Sequence, residues 1–177
     1  MSKPKIATCW LDGCSGCHMS FLDMDEFLVE FAQKVDVVWG PTVDPKEYPK
    51  DVDVCIIEGA VSSDEDLHKL EMIRSRTKIL VSLGDCAVTG NVPGMRNALK
   101  VPQLFERAYV ENAAVNKRAP NWGVPKHLPT ARPLHEHVKI DAWIPGCPPP
   151  AKAIHFAVTE LLAGRIPDST EYTRFGK

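Results

Sequence analysis

An α/β domain built on a doubly wound parallel sheet is the fold predicted by this sequence, and three observations predict it. Short β-branched runs recur along the chain, helix-period runs lie between them, and 177 residues suffice for a single core. Candidate strands are residues 6–10, 35–39, 52–57, 79–83 and 140–144, most of them bounded by Gly, Pro or Asp. Their mainly apolar character is that of strands covered on both faces. Between the first two, Phe21, Met24, Leu28 and Phe31 repeat at helical spacing, with Leu22 and Phe27 alongside and Ser20 as a candidate N-cap. Ser63-Asp64-Glu65-Asp66 opens a second helix, to about residue 75. It has acids at its positive end, Leu67, Leu70 and Ile73 facing inward, and Arg74 and Arg76 at the far end. In a third helix Ile154, Ala157, Val158, Leu161 and Leu162 share one face, and the run stops at Gly164. Strands and helices that alternate in this way close into a parallel sheet through right-handed crossovers.

Residues 1–177 read as one domain without internal repeats, broken only at about residues 100–139. That stretch is rich in Pro, Asn, His and Arg and is expected to be irregular. Its Leu104, Phe105, Tyr109 and Trp122 suggest ordering against a partner, the alternative being a solvated excursion. With 44% hydrophobic residues, 25% charged residues and a net charge of −2, there is no basic excess to suggest nucleic acid. No apolar run approaches the roughly 20 residues of a membrane span. The first residues lead into a strand without a secretory or twin-arginine leader, so the chain is expected to be cytoplasmic and without a membrane anchor of its own.

Six cysteines without a secretory signal are better read as thiols or metal ligands than as disulfides. Cys14 and Cys17 follow the first strand in a Cys-x-x-Cys spacing that lets two thiolates share one centre. Cys86 follows the fourth strand within Gly84-Asp85-Cys86-Ala87, and Cys147 follows the last within Gly146-Cys147-Pro148-Pro149. In an open α/β sheet ligands gather beyond the carboxyl ends of the strands, so these three loops should bring four thiolates to one rim. The chemistry indicated is one [4Fe–4S] cluster on Cys14, Cys17, Cys86 and Cys147. A four-thiolate zinc site is the chemical rival, although zinc modules usually carry two Cys-x-x-Cys pairs. Cys9 and Cys55 lie inside strands and read as ordinary buried cysteines.

Taken together, the three loops resemble the small subunit of [NiFe] hydrogenases, and the likeness runs from Lys5 to about Leu162. The related cluster subunit of respiratory complex I resembles the chain less, because its first two ligands are adjacent cysteines, whereas Cys14 and Cys17 are separated by two residues. A one-cluster chain without a leader is most similar to the small subunit of cytoplasmic, bidirectional NAD-linked hydrogenases. That resemblance implies a flavodoxin-like sheet and an electron-relay role. It also implies a large subunit carrying the Ni–Fe centre, and diaphorase iron–sulfur and flavin subunits that reduce NAD or NADP. The isolated chain should then be inactive. A cluster subunit of a quinone-reducing complex and a zinc-stabilised adapter are the alternative functions. A flavodoxin-like fold would seat FMN at the loop after the first strand, but residues 12–17 are committed to iron and lack a Ser/Thr-rich phosphate cradle. No dinucleotide fingerprint or Walker motif is present, so NAD is expected on another subunit.

Other polar residues keep two readings each. Glu58, after the third strand, either caps its loop or joins a proton route or partner contact near the cluster, as the resemblance implies. His18 either donates toward the cluster or is a plain loop histidine. His135 and His137 have a spacing seen in metal pairs but lie on a Pro-flanked segment without the geometry to use it. Trp10, Trp39, Trp122 and Trp143 read as core or interface anchors.

Overall fold

A computed structural model describes residues 2–172. Its strands are β1 (Lys5–Trp10), β2 (Asp36–Trp39), β3 (Val52–Glu58), β4 (Val61–Ser63), β5 (Thr77–Leu83), β6 (His127–Arg132) and β7 (Ala142–Ile144). Five of them form a parallel sheet in the order β2-β1-β3-β5-β7, and β4 pairs with β6 in a separate antiparallel ribbon. The helices are α1 (Gly16–Leu22), α2 (Phe27–Lys34), α3 (Asp64–Ser75), α4 (Gly84–Thr89), α5 (Asn91–Gly94), α6 (Val101–Phe105) and α7 (Ala151–Leu162). This is the expected doubly wound α/β architecture.

Successive strand residues point to opposite faces, which splits the core in two. Ile6, Val54, Ile56, Val81, Leu83 and Ile144 meet Phe31 of α2 and Ile154, Ala157, Val158 and Leu161 of α7 on one side. Ala7, Cys9, Cys55, Ile57 and Leu80 meet Leu70 and Ile73 of α3, together with Tyr48 and Leu134, on the other. A fully buried side chain of this size contributes about 1.5–3 kcal/mol. The helix α3 begins where the sequence indicates: the Asp66 amide donates to Ser63 Oγ at 3.1 Å, and the Ser63 amide donates back to Asp66 Oδ2 at 2.9 Å. The helix α7 ends before Gly164, whose φ of 74° suits a residue just past a helix end.

Several expectations are corrected. The first helical run is two helices, broken near Asp25 at φ 49°, a left-handed conformation that Asp tolerates better than most residues. Ser20 therefore caps nothing; it is buried inside α1, and its hydroxyl donates to the Pro149 carbonyl. Leu22, expected on the buried stripe, is 55% exposed. Residues 100–139 are not uniformly irregular either, since they contain α6, a π-helical turn at Glu106–Glu111, β6 and a 3₁₀ turn at Leu134–Glu136. Pro129 hides β6 from a strand reading, because proline is confined to ribbons and edges where one amide can be spared. Finally, Trp122 is 91% exposed and is no core anchor, while Trp39 packs edge-on against Tyr48. Among the described residues no helix is long and apolar enough to cross a membrane.

Asp141, just before β7, ties α3 to the far side of the sheet. Its Oδ2 accepts from Arg74 Nη1 at 2.6 Å and from the Leu80 amide at 2.9 Å, and Arg74 also donates to the Lys139 carbonyl at 3.1 Å. Burial alone would raise the Asp141 carboxyl, but the Leu80 amide and the Arg74 guanidinium outweigh it and hold it below the usual carboxylate range. A carboxylate lowered by folding stabilises the folded chain above its unfolded pKa, and that contribution is lost as pH falls through the lowered value. Asp141→Ala should therefore cost about 2 kcal/mol at neutral pH, since it removes the charge-assisted bond from Arg74 and leaves the Leu80 amide without its acceptor. The difference from wild type in urea unfolding should shrink on acidification; an equal difference at neutral and strongly acidic pH would contradict this.

Candidate metal centre

The carboxyl ends of β1, β3, β5 and β7 form one rim, and every predicted ligand arises there. Cys14 lies in the turn after β1, Cys17 in the first turn of α1, Cys86 in α4 directly after β5, and Cys147 after β7. Only Cys14 and Cys147 are loop residues; the other two sit on short helices packed close to the strand ends. Cys14 and Cys147 are exposed, while Cys17 and Cys86 are partly buried.

Hydrogen bonds fix the junctions relative to one another. The Asp85 amide donates to the Gly146 carbonyl at 2.8 Å, and the Gly146 amide donates to Asp85 Oδ1 at 2.7 Å, joining the turns that carry Cys86 and Cys147. The Leu11 amide donates to the Glu58 carbonyl at 3.0 Å, and the His18 amide donates to Glu58 Oε2 at 2.8 Å, joining the β1 turn and α1 to the end of β3. Ser20 adds its bond to Pro149. The reciprocal use of Asp85 was not visible in the sequence, although an acid beside a candidate ligand was a usable hint.

The four thiols lie within electrostatic reach. Burial pushes the Cys17 thiol well up, and Glu58, Cys86, Cys14 and Cys147 push it in the same direction. Burial also raises Cys86, partly offset by a hydrogen bond from the Val92 amide, with Cys147 and Cys14 adding to the rise. A zinc ion draws four thiolates to within about 4 Å of one another. Among the described residues no three His, Cys, Asp or Glu side chains close on a single ion in that manner. The thiols thus share one electrostatic field at the rim.

Gly84 lies directly against Cys17. It is buried with φ 79°, and a Cβ there would overlap the Cys17 sulfur, so the position accepts neither the conformation nor the volume of a side chain. An all-sulfur donor set and crowded backbone beside Cys17 suit a cluster held by four thiolates.

The remaining candidates sort clearly. Cys9 and Cys55 face the α3 side of the core, where burial pushes Cys9 up to about 12 and raises Cys55 as well. Glu58 is 3% exposed and serves as the acceptor described above. The His18 ring lies edge-on to Trp10, with Nδ1 3.0 Å from Glu58 Oε2 but off line for a hydrogen bond. His135 packs on Trp143, and its neighbour His137 is not gathered with it around a metal.

Residues 14–161 match the family described as NADH ubiquinone oxidoreductase, 20 Kd subunit. The chain belongs to this family. Within it, the chain is 40% identical over 168 residues to the delta subunit of the NAD-reducing hydrogenase HoxS of Cupriavidus necator, a match covering 92% of this chain and 80% of that protein. It is 36% identical over 165 residues to a subunit of the vhu F420-non-reducing hydrogenase of Methanocaldococcus jannaschii, covering 92% of this chain and 57% of that longer relative. A chain in the structure of an NAD⁺-reducing [NiFe]-hydrogenase in its H₂-reduced state superposes with a TM-score of 0.93 at 37% identity, over 98% of this chain and 99% of that one. The [NiFeSe] hydrogenase of Desulfovibrio vulgaris shares the fold, at a TM-score of 0.59 and 16% identity, over 92% of this chain and 60% of that one. The chain is thus homologous to a subunit of NAD-reducing [NiFe] hydrogenase, an oxidoreductase complex, and its family implies an iron–sulfur cluster.

Gly84→Ala tests the crowding at Cys17. The variant should lose most bound iron and be destabilised by about 1 kcal/mol or more relative to wild type, the cost of a side chain at positive φ. Full iron loading in Gly84→Ala would show that Cys17 does not need this position clear.

Proposed function

We propose that this chain is the electron-transfer small subunit of a soluble NAD(P)-linked [NiFe] hydrogenase, holding one proximal [4Fe–4S] cluster on Cys14, Cys17, Cys86 and Cys147. The observation that carries the reading is the convergence of these four cysteines, from three strand ends, on one rim. When bound, such a cluster accepts and releases one electron at a time.

The chain's own residues supply position and surroundings. Parallel strand ends fix where the ligands start, and the Asp85–Gly146 pair holds two of them in register. The buried side of Cys17 keeps water from one flank, while exposed Cys14 and Cys147 leave another flank open to a partner. A lone electron carrier needs a donor and an acceptor close by. The resemblance assigns these to a large subunit with the Ni–Fe centre and to diaphorase subunits that carry flavin and use NAD, the whole complex residing in the cytoplasm. Exposed Val115, Trp122 and Val124, in the stretch without regular structure between the π-helical turn and β6, belong in this reading to a subunit interface. The family's description also suits a quinone-reducing complex, and the two-residue gap between Cys14 and Cys17 speaks for the hydrogenase assignment.

Serine substitutions test the ligand set. Cys14→Ser, Cys17→Ser, Cys86→Ser and Cys147→Ser should each lose the cluster's absorption near roughly 400 nm and its electron paramagnetic resonance signal. Cys9→Ser and Cys55→Ser should keep both. Equal loss of iron in Cys55→Ser and Cys86→Ser would overturn the assignment, and robust hydrogen oxidation by the isolated chain would overturn the division of labour.

A further inference from the structure

At the start of α5 the chain passes beside the cysteine rim, and a side-chain N–H there reaches a cysteine sulfur. Asn91 Nδ2 lies 3.3 Å from Cys147 Sγ. A thiolate can only accept hydrogen bonds, so the nitrogen end of the Asn91 amide is the end that must face it.

We propose that Asn91 is a positioning residue that raises the reduction potential of the cluster, by donating its side-chain N–H to the sulfur of Cys147. The proposal rests on the ligand assignment above. Its direction follows from charge. An added electron makes the ligand sulfurs better acceptors, so a fixed donor stabilises the reduced cluster more than the oxidised one.

A donor on a floating loop would have little such effect, and this one is held. The Gly94 amide donates to the Gly90 carbonyl at 2.8 Å, and Pro93 is buried. Immediately beyond, Arg96 Nη2 donates to the Ser62 and Leu128 carbonyls, both at 3.1 Å. Asn97 exchanges two bonds with Ala131: its Nδ2 donates to the Ala131 carbonyl at 2.8 Å, and its Oδ1 accepts from the Ala131 amide at 2.7 Å. The Arg96 and Asn97 contacts clamp the α5 turn to the ribbon of β4 and β6, which lies outside the main sheet. The ribbon thereby acquires a role in the site: it steadies the turn that carries the Asn91 donor.

The experiment is a redox titration of the full, iron-loaded chain in its complex, followed by electron paramagnetic resonance, with iron counted in every sample. In Asn91→Ala and Asn91→Leu the oxidised-to-reduced ratio at a fixed potential should rise about tenfold, equivalent to a midpoint about 59 mV lower for a one-electron couple. Met95→Ala, on the 77% exposed side chain that follows α5, should leave the midpoint where it is. An unmoved midpoint in Asn91 variants with full iron overturns the proposal, as does an equal shift in Met95→Ala. Loss of iron from both Asn91 variants overturns it too, because the side chain would then serve assembly and not potential. A wild-type chain that carries no four-iron cluster would instead sink the ligand assignment itself, which keeps the two failures apart.

Discussion

Parallel pairing of β1, β3, β5 and β7 is the constraint from which the rest of the site follows. Four strands that run the same way must all end on one rim, and whatever follows each strand is delivered there. The registers leave little freedom: Trp10 pairs with Glu58, Glu58 with Leu83, and Leu83 with Ile144, so the strand ends line up almost residue for residue. Cys14, Glu58, Cys86 and Cys147 each lie within a few residues of one of those ends. A slip of one residue in any pair would swap its side chains between the two apolar cores that flank the sheet, so the packing of those cores also holds the site's geometry.

On that scaffold the local chemistry is built mostly from backbone groups. Amides of Leu11, His18, Asp85 and Gly146 hold the turns together. Backbone donors suit a charged cluster because they add polarity without a titrating side chain. Glu58 and Asp85 contribute as acceptors, each clamping a ligand-bearing segment to a neighbouring strand end. Gly84 contributes by what it lacks, since any side chain there meets the Cys17 sulfur.

Much of this was readable beforehand, and the reasons are specific. The strands were visible because both faces of the sheet are covered, which leaves continuous runs such as Val54-Cys55-Ile56-Ile57. The helices α3 and α7 were visible because a capping serine and a terminal glycine mark their ends. The four cysteines proposed as ligands stood out because they follow strands and each has Gly or Pro within two residues. The break between α1 and α2 was not readable, because the apolar spacing continues through Asp25 and only tertiary packing separates Met24 from exposed Leu22. The strand β6 was hidden by Pro129, and α4 by its brevity. Asn91 carried no signal at all, because its partner lies 56 positions away and only the fold brings them together.

Whether four thiolates on this rim hold one four-iron cluster is decided most directly by Mössbauer spectroscopy with metal and sulfide analysis, on the anaerobically purified chain in its complex and resolved for this subunit. About four irons and four acid-labile sulfides are expected on this chain, with a one-electron change on reduction. A colourless, redox-silent subunit with about one zinc bound by the same cysteines would contradict it.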